Sequence, residues 1–145
     1  MMIRNMIIED MPELSLLYKQ FWGEESDLKN MKELFKILSG RDSHIMLSAI
    51  DDNKLVGSVT GIICDDLYGR CKPFIVLENM IVDISYRNKG IGKALIKDLE
   101  RIALERQCTQ IILVTEANRN DARSFYEHIG YSRDTYRGYK KKLSR

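Results

Sequence analysis

Proline is nearly absent from this 145-residue chain, with Pro12 and Pro73 the only two. No Pro/Gly-rich linker, low-complexity tract or internal repeat divides the sequence, so a single domain is expected over residues 1–145. Long apolar runs are missing too. No stretch reaches the length of a bilayer span, and Arg4, Glu9 and Asp10 interrupt any apolar core a signal peptide would need. Charge of one sign is also missing: 23 Lys plus Arg face 21 Asp plus Glu, leaving +2. Nucleic-acid binding rests on a concentrated phosphate-neutralising surface, which that balance argues against. The run Lys140, Lys141, Lys142 reads as a solvated face. Cysteine and histidine are scarce. Cys64, Cys71 and Cys108 are odd in number and match no zinc or redox spacing, which predicts no metal and reduced thiols in the cytoplasm. Only His44 and His128 could partner a catalytic cysteine, and lone cysteines are more commonly packing residues.

What is present is an ordinary globular composition, 44% hydrophobic and 30% charged. Residues 2–8 read as an opening strand. Asp10 has Glu13 three positions on, a capping-box spacing that predicts a helix through about Trp22. A second helix is expected from Ser26 to Gly40, with Leu28, Met31, Leu34, Phe35 and Leu38 on one face. The segments HIMLSAID and KLVGSVTGII, joined by Asp51-Asp52-Asn53, predict a β-hairpin. A polar loop over 65–73 then leads to Phe74–Ile84, whose continuous β-branched run suits a central strand buried on both faces. A helix with Ile91, Leu95, Leu99, Ile102 and Ala103 on one stripe follows, then a strand at 111–115. A helix over about 120–129 and two closing strands near 131–136 and 138–143 complete the chain. The order predicts an α/β fold with a mixed sheet, helices on both sides and a right-handed crossover in the middle.

The segment Arg87-Asn88-Lys89-Gly90-Ile91-Gly92 lies between the central strand and the amphipathic helix. Glycines let the backbone turn sharply and let a phosphate approach its N–H groups. The helix start adds unpaired donors, while Arg87, Lys89 and Lys93 add countercharge. A diphosphate is the natural ligand. A Walker A loop would need Gly where Arg87 stands and Ser or Thr at Ala94. A dinucleotide fingerprint would need a third glycine at Leu95. Both patterns fail.

What remains, R-x-x-G-x-G after a strand ending Val-Asp, resembles the central motif of the GNAT superfamily of N-acetyltransferases. A second block agrees with it. In Ala122-Arg123-Ser124-Phe125-Tyr126, followed by Gly130-Tyr131, an Ala precedes Tyr by four residues and a Gly-aromatic pair comes next, as in that family. The resemblance covers essentially the whole chain and is most specific from about 77 to 131. It implies a GNAT-like acyl-CoA N-acyltransferase fold, a central mixed sheet flanked by about four helices, with acetyl-CoA as co-substrate. The backbone amides of residues 87–92 would then hold the coenzyme A pyrophosphate. One departure stands out: many members carry Asn three residues before the Ala, and here that position is Arg119. Asn118 and Asn120 flank it, and either could substitute as a cofactor contact.

The resemblance also implies roles in the chemistry. Tyr126 stands where the family places the acid that protonates the departing thiolate. The backbone N–H of Ile81 or of Val82 would polarise the thioester carbonyl. There the strand at 79–83 is expected to splay from the one at 111–115, opening a slot for the pantetheine arm. Glu78 interrupts an apolar strand, where a carboxylate is costly unless paired, hydrated or used. Apolar surroundings would raise its pKa towards that of a general base; binding a substrate ammonium is an equal alternative, and a purely structural role a lesser one. Asn79 is expected on the opposite face of a regular strand. Tyr18 and Trp22 lie on the first helix, which in the family helps wall the acceptor site; packing is the simpler explanation for both. The partners implied are acetyl-CoA and a primary amine of a small molecule or peptide, with pairing into a homodimer open and no membrane or nucleic acid. The alternative is a non-catalytic acyl-CoA sensor of the same fold.

Overall fold

The computed structural model describes residues 1–115 and 119–144. Residues 1–112 form one compact unit and residues 113–145 a second. The first holds strands β1 (Met2–Asn5), β2 (His44–Asp51), β3 (Lys54–Cys64), β4 (Phe74–Val82) and β5 (Ile111–Ile112), with helices α1 (Met11–Trp22), α2 (Leu28–Ser39) and α3 (Ile91–Glu105). The second holds α4 (Asn120–His128). The sheet runs β1-β2-β3-β4-β5, antiparallel throughout except for the parallel β4–β5 pair. It is the mixed sheet expected. No helix among the described residues is long and apolar enough to cross a membrane.

Local chemistry explains most boundaries. The β2–β3 turn places Asp52 and Asn53 at φ 50 and 59, the left-handed region a tight hairpin turn needs and Asp and Asn tolerate. Asp27, rather than Ser26, caps α2 by accepting the Asn30 N–H. The predicted capping box at α1 does not form. Asp10 stands at the N-cap but makes no cap bond there. Its carboxylate is instead gripped by Arg4 in two bonds of 2.8 Å, and by the Ile7 N–H and the Ser48 hydroxyl. Glu13 accepts the Leu55 N–H of β3. Both side chains therefore join α1 to the sheet.

One face of the sheet carries α1 and α2, through a cluster that includes Met11, Leu14, Leu17, Phe35, Leu55 and Ile81. The other face carries α3. It approaches so closely that a Cβ on Gly57 would lie 3.0 Å from the Ile81 carbonyl oxygen and 3.2 Å from a Leu95 methyl. A side chain at Gly57 would push α3 off the sheet.

Three expectations need correction. β4 stops at Val82, two residues early, because Asp83 donates its N–H to the Val56 carbonyl and caps a short 3₁₀ turn at Ile84–Tyr86. β5 spans Ile111–Ile112 only, not 111–115. Among the described residues after 130 there is no strand. Tyr136, Tyr139 and Leu143 are 75%, 87% and 91% exposed, and a hairpin that buries neither face gains too little to hold.

Candidate active site

The site is organised by an irregularity in β4. Thr60 pairs with Glu78 and Ser58 with Ile81, so β4 carries one more residue than β3 between those pairs. The extra residue is accommodated at Asn79, whose φ is 51. This is a β-bulge, and it reverses which residues face each edge. Before it, the Ile75 N–H points away from β3, to the Gln110 carbonyl. After it, the Asp83 N–H points towards β3, to Val56. By strand alternation Ile81 also points its polar groups at β3, while Met80 and Val82 point theirs at the opposite edge. Of the two amides proposed to polarise the carbonyl, Val82 alone faces that edge. Asn79 is itself the bulged residue, not a regular strand position.

At that edge the parallel ladder comprises Ile75 with Ile111 and Val76 with Ile112, and no further strand pairing with β4 occurs there among the described residues. The β4 backbone groups that point to this edge beyond Val76 therefore meet no partner strand among the described residues, the arrangement an extended, amide-bearing ligand would use.

Just past β4 comes the glycine loop. Asn88 and Gly90 take φ 62 and 80, curling the chain so that successive N–H groups can converge on an anion. Gly90 is the N-cap of α3 and supplies no side-chain cap. The helix's first turn closes with the Ala94 N–H on the Gly90 carbonyl, so the amides before Ala94 lack intrahelical acceptors. Arg87, Asn88, Lys89, Gly90 and Lys93 are exposed, whereas Ile91 is buried and pins the loop to the core. A Cβ on Gly90 would meet nothing within 4 Å, so open space lies in front of this backbone. Arg87 lies over the Phe21 ring at 5.5 Å and Lys89 over the Tyr86 ring at 4.9 Å. An uncapped helix start, left-handed turns and three exposed cations suit a diphosphate.

Glu78 lies on the sheet face that carries α1 and α2, opposite Thr60. It is exposed, so the apolar burial expected to tune it as a base is not there. On the same face, burial pushes the Tyr18 hydroxyl up to about 12, with the Ser58 hydroxyl beside it acting the other way. Trp22, 46% exposed, packs against Tyr18 at 5.5 Å and edge-on to Phe21 at 4.9 Å.

In the second unit Tyr126 is half-buried in α4, with its ring edge-on to Phe125 at 5.2 Å and to Tyr131 at 5.8 Å. Burial pushes its pKa up to about 12, opposed by the positive charge of Arg119. Asn120 opens the helix and is exposed. Arg119 pairs with Asp121 at 3.5 Å. Asn118 lies outside the described residues.

The model of the acetyltransferase (GNAT) family matches residues 11–131. The chain belongs to this family. A GNAT relative, the glucosamine 6-phosphate N-acetyltransferase of Trypanosoma brucei brucei, is 32% identical over 127 residues, which span 74% of this chain and 84% of that protein. In fold, the chain resembles glucosamine-6-phosphate N-acetyltransferase from Arabidopsis thaliana, with a TM-score of 0.84, 20% identity and coverage of 99% and 98% of the two chains. It also resembles AAC(6')-Iy in complex with the bisubstrate analog CoA-S-monomethyl-acetylneamine, with a TM-score of 0.80, 21% identity and coverage of 99% and 98%. Sequence reasoning overlooked the bulge at Asn79, the Gln20 side-chain oxygen that accepts the Ile84 N–H, and the contact of Phe21 with Arg87. A lone Asn in a β-branched run was the one available signal, since Asn tolerates the left-handed region.

Proposed function

We propose that this GNAT protein, with residues 1–145 working as one domain, moves the acetyl group of acetyl-CoA directly to a primary amine of a small molecule or peptide. The observation that carries the reading is the uncapped start of α3, which follows β4 in the chain, together with a β4 edge that beyond Val76 pairs with no strand among the described residues. The first suits a diphosphate and the second an amide-containing arm, and coenzyme A has both in that order. In this reading the amides of residues 87–92 hold the pyrophosphate, with the Arg87, Lys89 and Lys93 side chains as countercharge. The Val82 N–H donates to the thioester carbonyl oxygen, where negative charge grows as the amine attacks. The C–S bond breaks, and the departing thiolate takes the Tyr126 hydroxyl proton. Glu78, exposed on the face that carries α1 and α2, holds the incoming ammonium, whose proton passes to bulk water before the neutral amine attacks. The proton shed by the new amide nitrogen returns through water to the Tyr126 phenolate, so the cycle closes.

The test is release of free coenzyme A thiol from acetyl-CoA across a panel of primary amines. Amine-dependent release supports the enzyme. Tight coenzyme A binding with no release for any amine would make the chain an acyl-CoA sensor.

A further inference from the structure

The end of α1 is joined to the segment that leads into the glycine loop. Gln20 Oε1 accepts the Ile84 N–H at 3.1 Å. The Arg87 guanidinium lies 5.5 Å from the centre of the Phe21 ring, and Phe21 meets Trp22 edge-on at 4.9 Å. Packing α1 on the sheet does not require the arginine contact, because Arg87 is exposed. An exposed guanidinium gains little from an aromatic face. A diphosphate at residues 87–92 offers the same group a charge-assisted, bidentate partner, which is the stronger of the two.

We propose that Arg87 is a positioning residue shared by the two halves of the site. It rests on Phe21 in the free protein and moves to the diphosphate when coenzyme A binds, which resets the Phe21–Trp22 edge on the acceptor side. This inference rests on reading residues 87–92 as the diphosphate loop. The Gln20 bond to Ile84 keeps α1 tethered, so the change is confined to side chains. Because the ring competes with the cofactor for Arg87, removing the ring should strengthen coenzyme A binding.

Trp22 is the only tryptophan, so the indole emission reports on its own surroundings, Phe21 and Tyr18, and on no other part of the chain. Coenzyme A is titrated into the full chain, with the indole excited where adenine does not absorb and calorimetry run in parallel. In the unaltered protein, Trp22 emission should change with the calorimetric midpoint. Phe21→Leu should bind coenzyme A about two- to fivefold more tightly, the worth of an exposed cation–π contact, and lose the Trp22 response. Arg87→Gln, at an exposed position that folding does not depend on, should bind more weakly and also lose it. Coenzyme A binding with the Trp22 response intact in either variant would overturn the inference alone. No calorimetric binding to the unaltered protein would overturn the diphosphate reading and this inference with it.

Discussion

Glu78 and Ile81 project from the same face of β4 although two residues lie between them. In a regular strand an odd offset puts side chains on opposite faces. Their cross-strand partners, Thr60 and Ser58, are two apart on β3 and share a face, so the offset is absorbed by the bulge at Asn79. The bulge lets Ile81 pack into the α1–α2 cluster while Glu78 stays on that side, and it turns the Val82 amide outwards.

Asn79→Val should therefore be costly. A left-handed conformation disfavours most side chains by about 1–2 kcal/mol, and a β-branched one suffers most. Chemical denaturation should show a loss of that size, with Asn79→Gly close to the unaltered protein. A Val variant of unchanged stability would mean that the chain does not depend on the left-handed bulge.

The mixed sheet and the α3 stripe were legible because periodicity reports burial, whereas Leu34 of the expected α2 stripe is 53% exposed. Ile91, Leu95 and Leu99 repeat with the helix, and all three are buried. The turn before α3 was legible because glycine is needed where φ is positive, as at Gly90. Partner choice was not legible. Asp10 and Glu13 have capping-box spacing, yet Arg4, Ser48 and the Leu55 amide claim them, because these sheet contacts arise from distant sequence. Tyr136 and Tyr139 look like strand residues but are exposed, and pattern alone supplies no surface to bury them.

Asp10 should make stability pH-dependent. Burial works to raise its pKa, but the bonds from Arg4, the Ile7 N–H and Ser48 outweigh it and hold the carboxyl below its ordinary value. A carboxylate depressed on folding contributes stability above its unfolded pKa of about 3.9 and loses it as pH falls through the folded value. Denaturation as a function of pH should show a decline below about pH 4 that Asp10→Asn flattens. Arg4→Ala should cost roughly 3 kcal/mol at neutral pH, since it strands a buried carboxylate. An acid limb identical in Asp10→Asn would assign the decline to other carboxylates.

Glu78→Gln should raise the amine KM about two- to fivefold and leave kcat nearly intact, as expected for an exposed charge that attracts an ammonium. The pH profile of kcat should not move. A fall in kcat of about 10²–10⁴, greatest at low pH where the ammonium needs a base, would instead make Glu78 the proton acceptor.

Tyr126→Phe should lower kcat with little effect on either KM. The hydroxyl is proposed to meet the sulfur only as negative charge develops there, so its loss belongs to the transition state. By comparison with other transition-state donors the cost is roughly 2–4 kcal/mol. With a pKa of about 12, the phenol stays protonated at neutral and mildly alkaline pH, so an alkaline fall in rate well below that value would come from another group. Acyl donors with more acidic thiols provide the decisive comparison. Their thiolates leave without needing a proton, so the Tyr126→Phe penalty should shrink as thiol acidity rises. A variant that merely misplaces α4 would slow every donor by the same factor. An unchanged kcat, measured where chemistry limits turnover, would assign the proton to water or another side chain while leaving the fold as described and the proposed cofactor loop untouched.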